Sequence, residues 1–182
     1  QNKNKKRSLE QLLELTKRFY IEKKLEKLKE DLSKLAIEQE RLSNETKENN
    51  TTEKQEELNK EFEDFKKELD QLQKDSKALK KPIKIPQDKL EENEIKKEQE
   101  KATEELEKKD GEEASDEINE NNENEDQNQN LKNAQKSQKK AAKKMMQMAQ
   151  NMQQSMQGGG GDQMQEDAEM LRQILDNLVL FS

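Results

Sequence analysis

Apolar residues recur along this chain at helical spacing. Leu9, Leu12, Leu13, Thr16, Phe19 and Tyr20 are followed by Leu25, Leu28, Leu32, Leu35 and Leu42, with Gln39 in the one gap. The later steps alternate three and four, which is a heptad seam. Ser8 with Gln11 has capping-box spacing, so the pattern predicts a helix from Ser8 to about Glu48. Asn44–Thr52 interrupts it, and Asn49-Asn50 suits a helix C-terminus. Thr52 with Gln55 restarts a helix by the same capping logic. Its seam is Leu58, Phe62, Phe65, Leu69, Leu72, Ser76 and Leu79. A short connection joins antiparallel neighbours, so residues 8–81 are predicted as one long helical hairpin. Leu28, Leu32 and Leu35 then face Leu58, Phe62, Phe65 and Leu69.

Pro82 and Pro86 forbid a continuous helix and hold the residues before them extended, which marks 82–87 as a bend. Asp88 and Glu91 are predicted caps of a weaker helix over 88–109, with Leu90, Ile95, Ala102 and Leu106 as a thin stripe that needs a partner. Residues 110–130 carry Asp, Glu and Asn but no Lys or Arg, and only Ile118 is strongly apolar before Leu131. This stretch is expected to be an acidic disordered loop. Residues 131–182 form the last predicted hairpin. Its first arm has the seam Ala134, Gln138, Ala141, Met145, Met148, Met152 and Met156. Gly158–Gly161 ends that arm, Asp162 caps the next, and Met164, Ala168, Leu171, Ile174, Leu175 and Leu178 form the second stripe, with Val179 and Phe181 beside it. The reversal is expected to bring Met148 near Leu171. The fold class is therefore all-α: elongated helical hairpins, or an antiparallel coiled coil, with an acidic loop.

Composition supports long helices over a compact core. Only 27% of the 182 residues are hydrophobic and 42% are charged, against roughly half and a quarter in ordinary domains. The net charge of −7, with no Trp and one Tyr, disfavours nucleic acid, which calls for a basic face with Arg or aromatic contacts. His and Cys are both missing from the sequence, which removes zinc fingers, Cys nucleophiles and His-based triads. Carboxylates are everywhere but show no pocket to perturb them. The acidic stretch lacks the alternating Asp/Asn ligands and terminal Glu of an EF-hand after Asp110-Gly111. No enzyme activity, cofactor or metal site is expected.

The methionines carry the sharpest signal, because all seven lie between Met145 and Met170. Flexible thioethers suit either packing against the next helix or a groove for apolar segments. Cu(I) is a weaker possibility without His or Cys, and a membrane surface lacks aromatic anchors on this face. The candidate interaction surface is Met145, Met148, Met152, Met156, Leu171, Leu175, Leu178, Val179 and Phe181. Its partner is expected to be a protein or another part of the parent chain. The chain begins on Gln1 and ends just after an apolar run, so it is expected to be a piece of a longer protein.

The stretches LLELTKRFYIEKKLEKL, TEKQEELNKEFEDFKKELDQLQKDSKALKKP and QKSQKKAAKKMMQMAQNMQQSMQ, with EDAEMLRQILDNLVLFS, carry a family resemblance. It covers nearly the whole chain and is most specific from Ala134 to Ser182. The chain resembles the helical, Met/Gln-rich region of an uncharacterised family of large membrane-anchored bacterial proteins. The resemblance implies a helical section of an envelope protein, anchored in the inner membrane through segments outside this chain and lying on the periplasmic side; the helical architecture itself leads to the expectation of a structural, scaffolding role that holds a protein partner. It supplies no functional residues.

Overall fold

The computed structural model describes residues 1–113, 120–157 and 168–177. The protein is all-helical, and no strand occurs among the described residues. The helices are α1 (Asn2–Ser43), α2 (Thr52–Lys77), α3 (Lys89–Glu113) and α4 (Glu120–Gln157). A further helical stretch occupies 168–177. They assemble into two compact units built from non-contiguous segments. One comprises Gln1–Lys29, Glu68–Gln87 and Asn151–Ser182; the other comprises Glu30–Lys67 and Asp88–Gln150.

The second unit is an antiparallel four-helix bundle, in which each helix pairs with the next in sequence. Gln39 of α1 bonds Gln55 of α2. On α2 and α3, Asn59 donates to Thr103 at 2.9 Å, and Glu63 pairs with Lys96 at 3.7 Å. The α3–α4 pairs are Glu94 with Lys144 and Glu105 with Asn133. The Gln135 side chain of α4 reaches back to the Glu45 carbonyl, just past the end of α1. Partner numbers fall along one helix as they rise along the next, so every neighbouring pair is antiparallel. The core of this unit holds Leu32, Leu35, Phe62, Phe65, Ile95, Ala102, Leu106, Ala134, Ala141, Met145 and Met148, all buried. The Phe62 and Phe65 rings stack with centroids 5.9 Å apart.

The first unit contains the N-terminal part of α1 and the C-terminal part of α2, with Leu15, Ile21, Leu25, Leu28, Leu69, Leu72 and Leu79 buried. Lys24 of α1 pairs with Glu68 of α2 at 3.3 Å. Near the end of α2, the Glu14 carboxylate accepts from the Lys80 amide at 2.7 Å, and Arg18 donates to the Lys81 carbonyl at 3.1 Å. The proline segment then folds back along α2. The Ser76 hydroxyl accepts from the Ile83 amide at 2.8 Å and donates to the Ile83 carbonyl, while Gln87 donates to Asp70 at 2.7 Å. Ile85, within this strap, is buried, so two prolines that break the helix leave the chain extended and pinned.

Several boundaries differ from the sequence expectation. α1 starts at Asn2, placing Ser8 inside the helix. Residues 2–7 hold neither Gly nor Pro, and Lys and Arg are good helix formers. α1 ends at Ser43, earlier than Glu48, where the Ser43 hydroxyl and the Asn44 amide both turn back to the Glu40 carbonyl. Leu90 is solvent-exposed at 77%, so it does not belong to the α3 stripe. The true seam there is Glu92, Ile95, Gln99, Ala102, Leu106 and Lys109, all buried.

The expected disordered loop over Asp110–Asn130 needs the largest correction, since α3 continues to Glu113 and α4 already begins at Glu120. The acidic stretch lacks basic residues of its own but finds them elsewhere. Asp110 pairs with Lys109, and Gln127 is buried and bonded to Lys47. Residues 114–119, including Ile118, lie outside the described residues, as do Gly158–Gly161, the Asp162 cap and Met164.

Candidate interaction surface

Three of the four methionines proposed to line a surface are core residues. Met145, Met148 and Met152 are 0%, 2% and 1% exposed. Their seam continues Ala134 and Ala141, and these small residues let the helices of the bundle approach closely while Met fills the irregular space beyond. Met156 and Leu171 are half-buried, and Leu175 is 47% exposed. Leu178, Val179 and Phe181 lie outside the described residues. The methionine run is therefore packing for most of its length, and the described part of the proposed surface shrinks to Met156, Leu171 and Leu175. Met170, which the sequence reading left out, is exposed beside them.

A different apolar face stands open on the first unit. Leu9, Leu13 and Tyr20 are 56%, 56% and 60% exposed, and Thr16 between them is exposed as well. Steps of four, three and four put these residues on one side of α1. Buried Leu15 belongs to a different side, which faces the interior. By the same helical geometry Lys5, Lys6 and Lys17 flank the exposed face and Lys27 continues it two turns on; all four lysines are exposed. The sequence did carry a signal for this. Residues 9 to 20 hold more apolar positions than one seam can use, so two registers overlap there. Ile37 and Leu90 are single exposed residues of the kind found on most surfaces.

Nothing in the described residues resembles a reaction centre. Two shallow depressions among the described residues have volumes of about 250 and 240 Å³. The first lies between Arg41, Glu45, Lys54 and Glu57, and the second between Glu98, Lys101, Lys136 and Lys140. Most of the lining residues of both are charged, with Leu42 and Leu58 also in the first, and such exposed ion pairs are screened and contribute little. Among the described residues no group of acidic side chains is placed to hold a metal ion, and no helix is long and apolar enough to cross a membrane.

One charged site is a junction between the α1–α2 turn, α2 and α3. Lys109 is 1% exposed; its ammonium donates to the Lys47 carbonyl at 2.9 Å and pairs with Asp110 at 2.6 Å. The other Asp110 oxygen accepts from the Thr52 amide and hydroxyl. Burial pushes the Asp110 carboxyl up, but Lys109 and Thr52 together outweigh burial and hold it below the usual carboxylate value. This arrangement ties the α1–α2 turn to α3 as a structural clamp.

Comparison of the chain with protein-family models, with curated proteins and with solved structures gives no match.

Proposed function

We propose that this chain is a structural, scaffolding segment of a larger protein and that it engages a protein partner through the Leu9–Leu13–Thr16–Tyr20 face of α1. The observation that carries the reading is that face. It is an apolar stripe, more than half exposed at Leu9, Leu13 and Tyr20, on a helix whose other side is committed to packing. An amphipathic helix reads such a stripe through residues at matching four-three spacing. The lysines that flank it favour a partner helix with acidic borders, by charge complementarity. Within the same unit the opposite side of α1, with Leu15, Ile21 and Leu25 buried, gives the face a packed support. Placement of the parent protein in the bacterial envelope rests on the family resemblance alone. Holdase-like binding through the methionines is the weaker reading, because Met145, Met148 and Met152 are enclosed and the helices packed around each would have to open to offer it.

A photo-crosslinker at Leu13 of the parent protein tests this in cells. It should couple repeatedly to one protein, at one helical segment, and Leu13→Lys with Tyr20→Lys should abolish coupling without loss of helicity. Crosslinks scattered over many unfolded chains would favour the holdase. Attachment mainly to anionic lipid would replace the protein partner with a membrane surface.

A further inference from the structure

Each helix of the bundle contributes one buried glutamine to a single layer: Gln39 from α1, Gln55 from α2, Gln99 from α3 and Gln138 from α4. Gln39 and Gln55 exchange hydrogen bonds of 2.8 and 3.0 Å. Gln138 donates to Gln55 at 2.9 Å, and Gln99 donates to Gln39 at 3.3 Å. The buried Asn50 of the α1–α2 turn pairs with Gln138 through two bonds of 2.8 Å. Gln55 also donates to Asn59, which passes the chain on to Thr103. The Gln55 carboxamide thus uses both donors and both acceptor positions, the full capacity of that group.

Carboxamides are weak contributors to stability in such a place, so the layer calls for another role. The seams around it are Leu, Ala, Met and Phe, which tolerate sliding because one apolar contact resembles the next. A slip of one heptad moves a helix by about 10 Å. Seven residues from the layer toward the Phe62 end of the antiparallel bundle stand Leu32, Phe62 and Met145, with the buried Glu92 at the α3 position. A slipped helix therefore sets a carboxamide against apolar side chains and strands its former partners inside the core, which is heavily penalised.

We propose that the Gln39–Gln55–Gln99–Gln138 layer, with Asn50, is a register lock: it selects one alignment of the four helices at the expense of stability. The lock serves the scaffold reading, since a spacer must hold one length, but it rests on the bundle alone.

The experiment compares two kinds of variant. Gln138→Leu alone leaves Asn50 unpaired and should lower the melting temperature. Replacing the whole layer (Gln39→Leu, Gln55→Leu, Gln99→Leu and Gln138→Leu, with Asn50→Ala) should raise it. Spin labels at the exposed Lys60 and Lys101 report the α2–α3 alignment by pulsed electron resonance. The natural layer should give one narrow distance. The all-apolar layer should add a second population displaced along the helix axis, or a change of oligomeric state in sedimentation. A single unchanged distance and an unchanged mass would overturn the proposal. If the full replacement does not melt cooperatively, the milder Gln39→Met/Gln99→Met pair is read by the same distances, and an unshifted single distance there overturns it equally.

Discussion

The Asp110 carboxylate, near the end of α3, accepts hydrogen bonds from both the amide and the hydroxyl of Thr52, at 2.9 and 2.6 Å. Thr52 is the first residue of α2. A side chain from one helix therefore caps the N-terminus of another, where free amides and the positive end of the helix dipole favour negative charge. Thr51 contributes a weaker local cap, its hydroxyl lying 3.4 Å from the Lys54 amide. Asp110→Ala should lower unfolding free energy by at least about 1 kcal/mol, the usual range for a lost cap, and by more because it also leaves the buried Lys109 ammonium without its counter-ion. Urea denaturation followed by circular dichroism measures it, and no change in midpoint would mean that Thr51 alone suffices.

The same contact predicts a pH dependence. The folded Asp110 carboxyl lies below its ordinary value despite the burial that opposes this, because Lys109 and Thr52 stabilise the charged form. A group depressed by folding contributes stability that is present above its unfolded pKa and is lost as pH falls through the folded one. Melting temperature should therefore drop on acidification below the normal aspartate range, and Asp110→Asn should reduce that drop. An equal acid sensitivity in both proteins would assign it to other carboxylates.

Much of the fold was legible because heptad periodicity reports burial directly. Gln39, Ser76 and Gln138 were readable as seam members even though they are polar, and all three are buried. The sequence spacing makes Gln55 a capping partner of Thr52, whereas in the fold it is part of the buried layer. Both roles fit the same spacing, and only the position of the other helices decides between them. Gln99 and Lys109 were missed because a polar residue in a thin stripe looks solvated until its partners are placed. The acidic stretch misleads for a related reason, since its contacts with basic residues, Asp110 with Lys109 and Gln127 with Lys47, come from outside it. The methionine run looked like a surface for want of a seam to face, a need that the bundle met.

Aromatic packing in the second unit gives a sharper mutational contrast than the charges do. Phe62 is 0% exposed and stacks on Phe65. Phe62→Ala and Phe65→Ala should each destabilise by about 3–5 kcal/mol, which combines lost burial with a cavity. By comparison Glu94→Gln, which breaks a partly exposed pair with Lys144, should change stability by less than about 1 kcal/mol. Thermal denaturation of the three variants settles the order; a Glu94 effect matching that of Phe62 would mean the α3–α4 contact depends on charge more than on packing.

The methionines allow the core and surface readings to be separated without mutation. Oxidation by peroxide converts a thioether to a polar sulfoxide and proceeds according to solvent access. Met170 is 50% exposed, Met146 and Met156 are half-buried, and Met145, Met148 and Met152 are almost fully enclosed. Mild peroxide on the folded protein, followed by peptide mass mapping, should therefore modify Met170 first and Met146 and Met156 next. Met145, Met148 and Met152 should react only when urea opens the bundle, and once oxidised they should prevent its return, since each sulfoxide would place an unpaired polar group in the core. Binding through an open methionine groove predicts a different order, with Met148 and Met152 reacting as fast as Met170 in the native protein. Such a result would return these residues to the surface and with them the holdase reading.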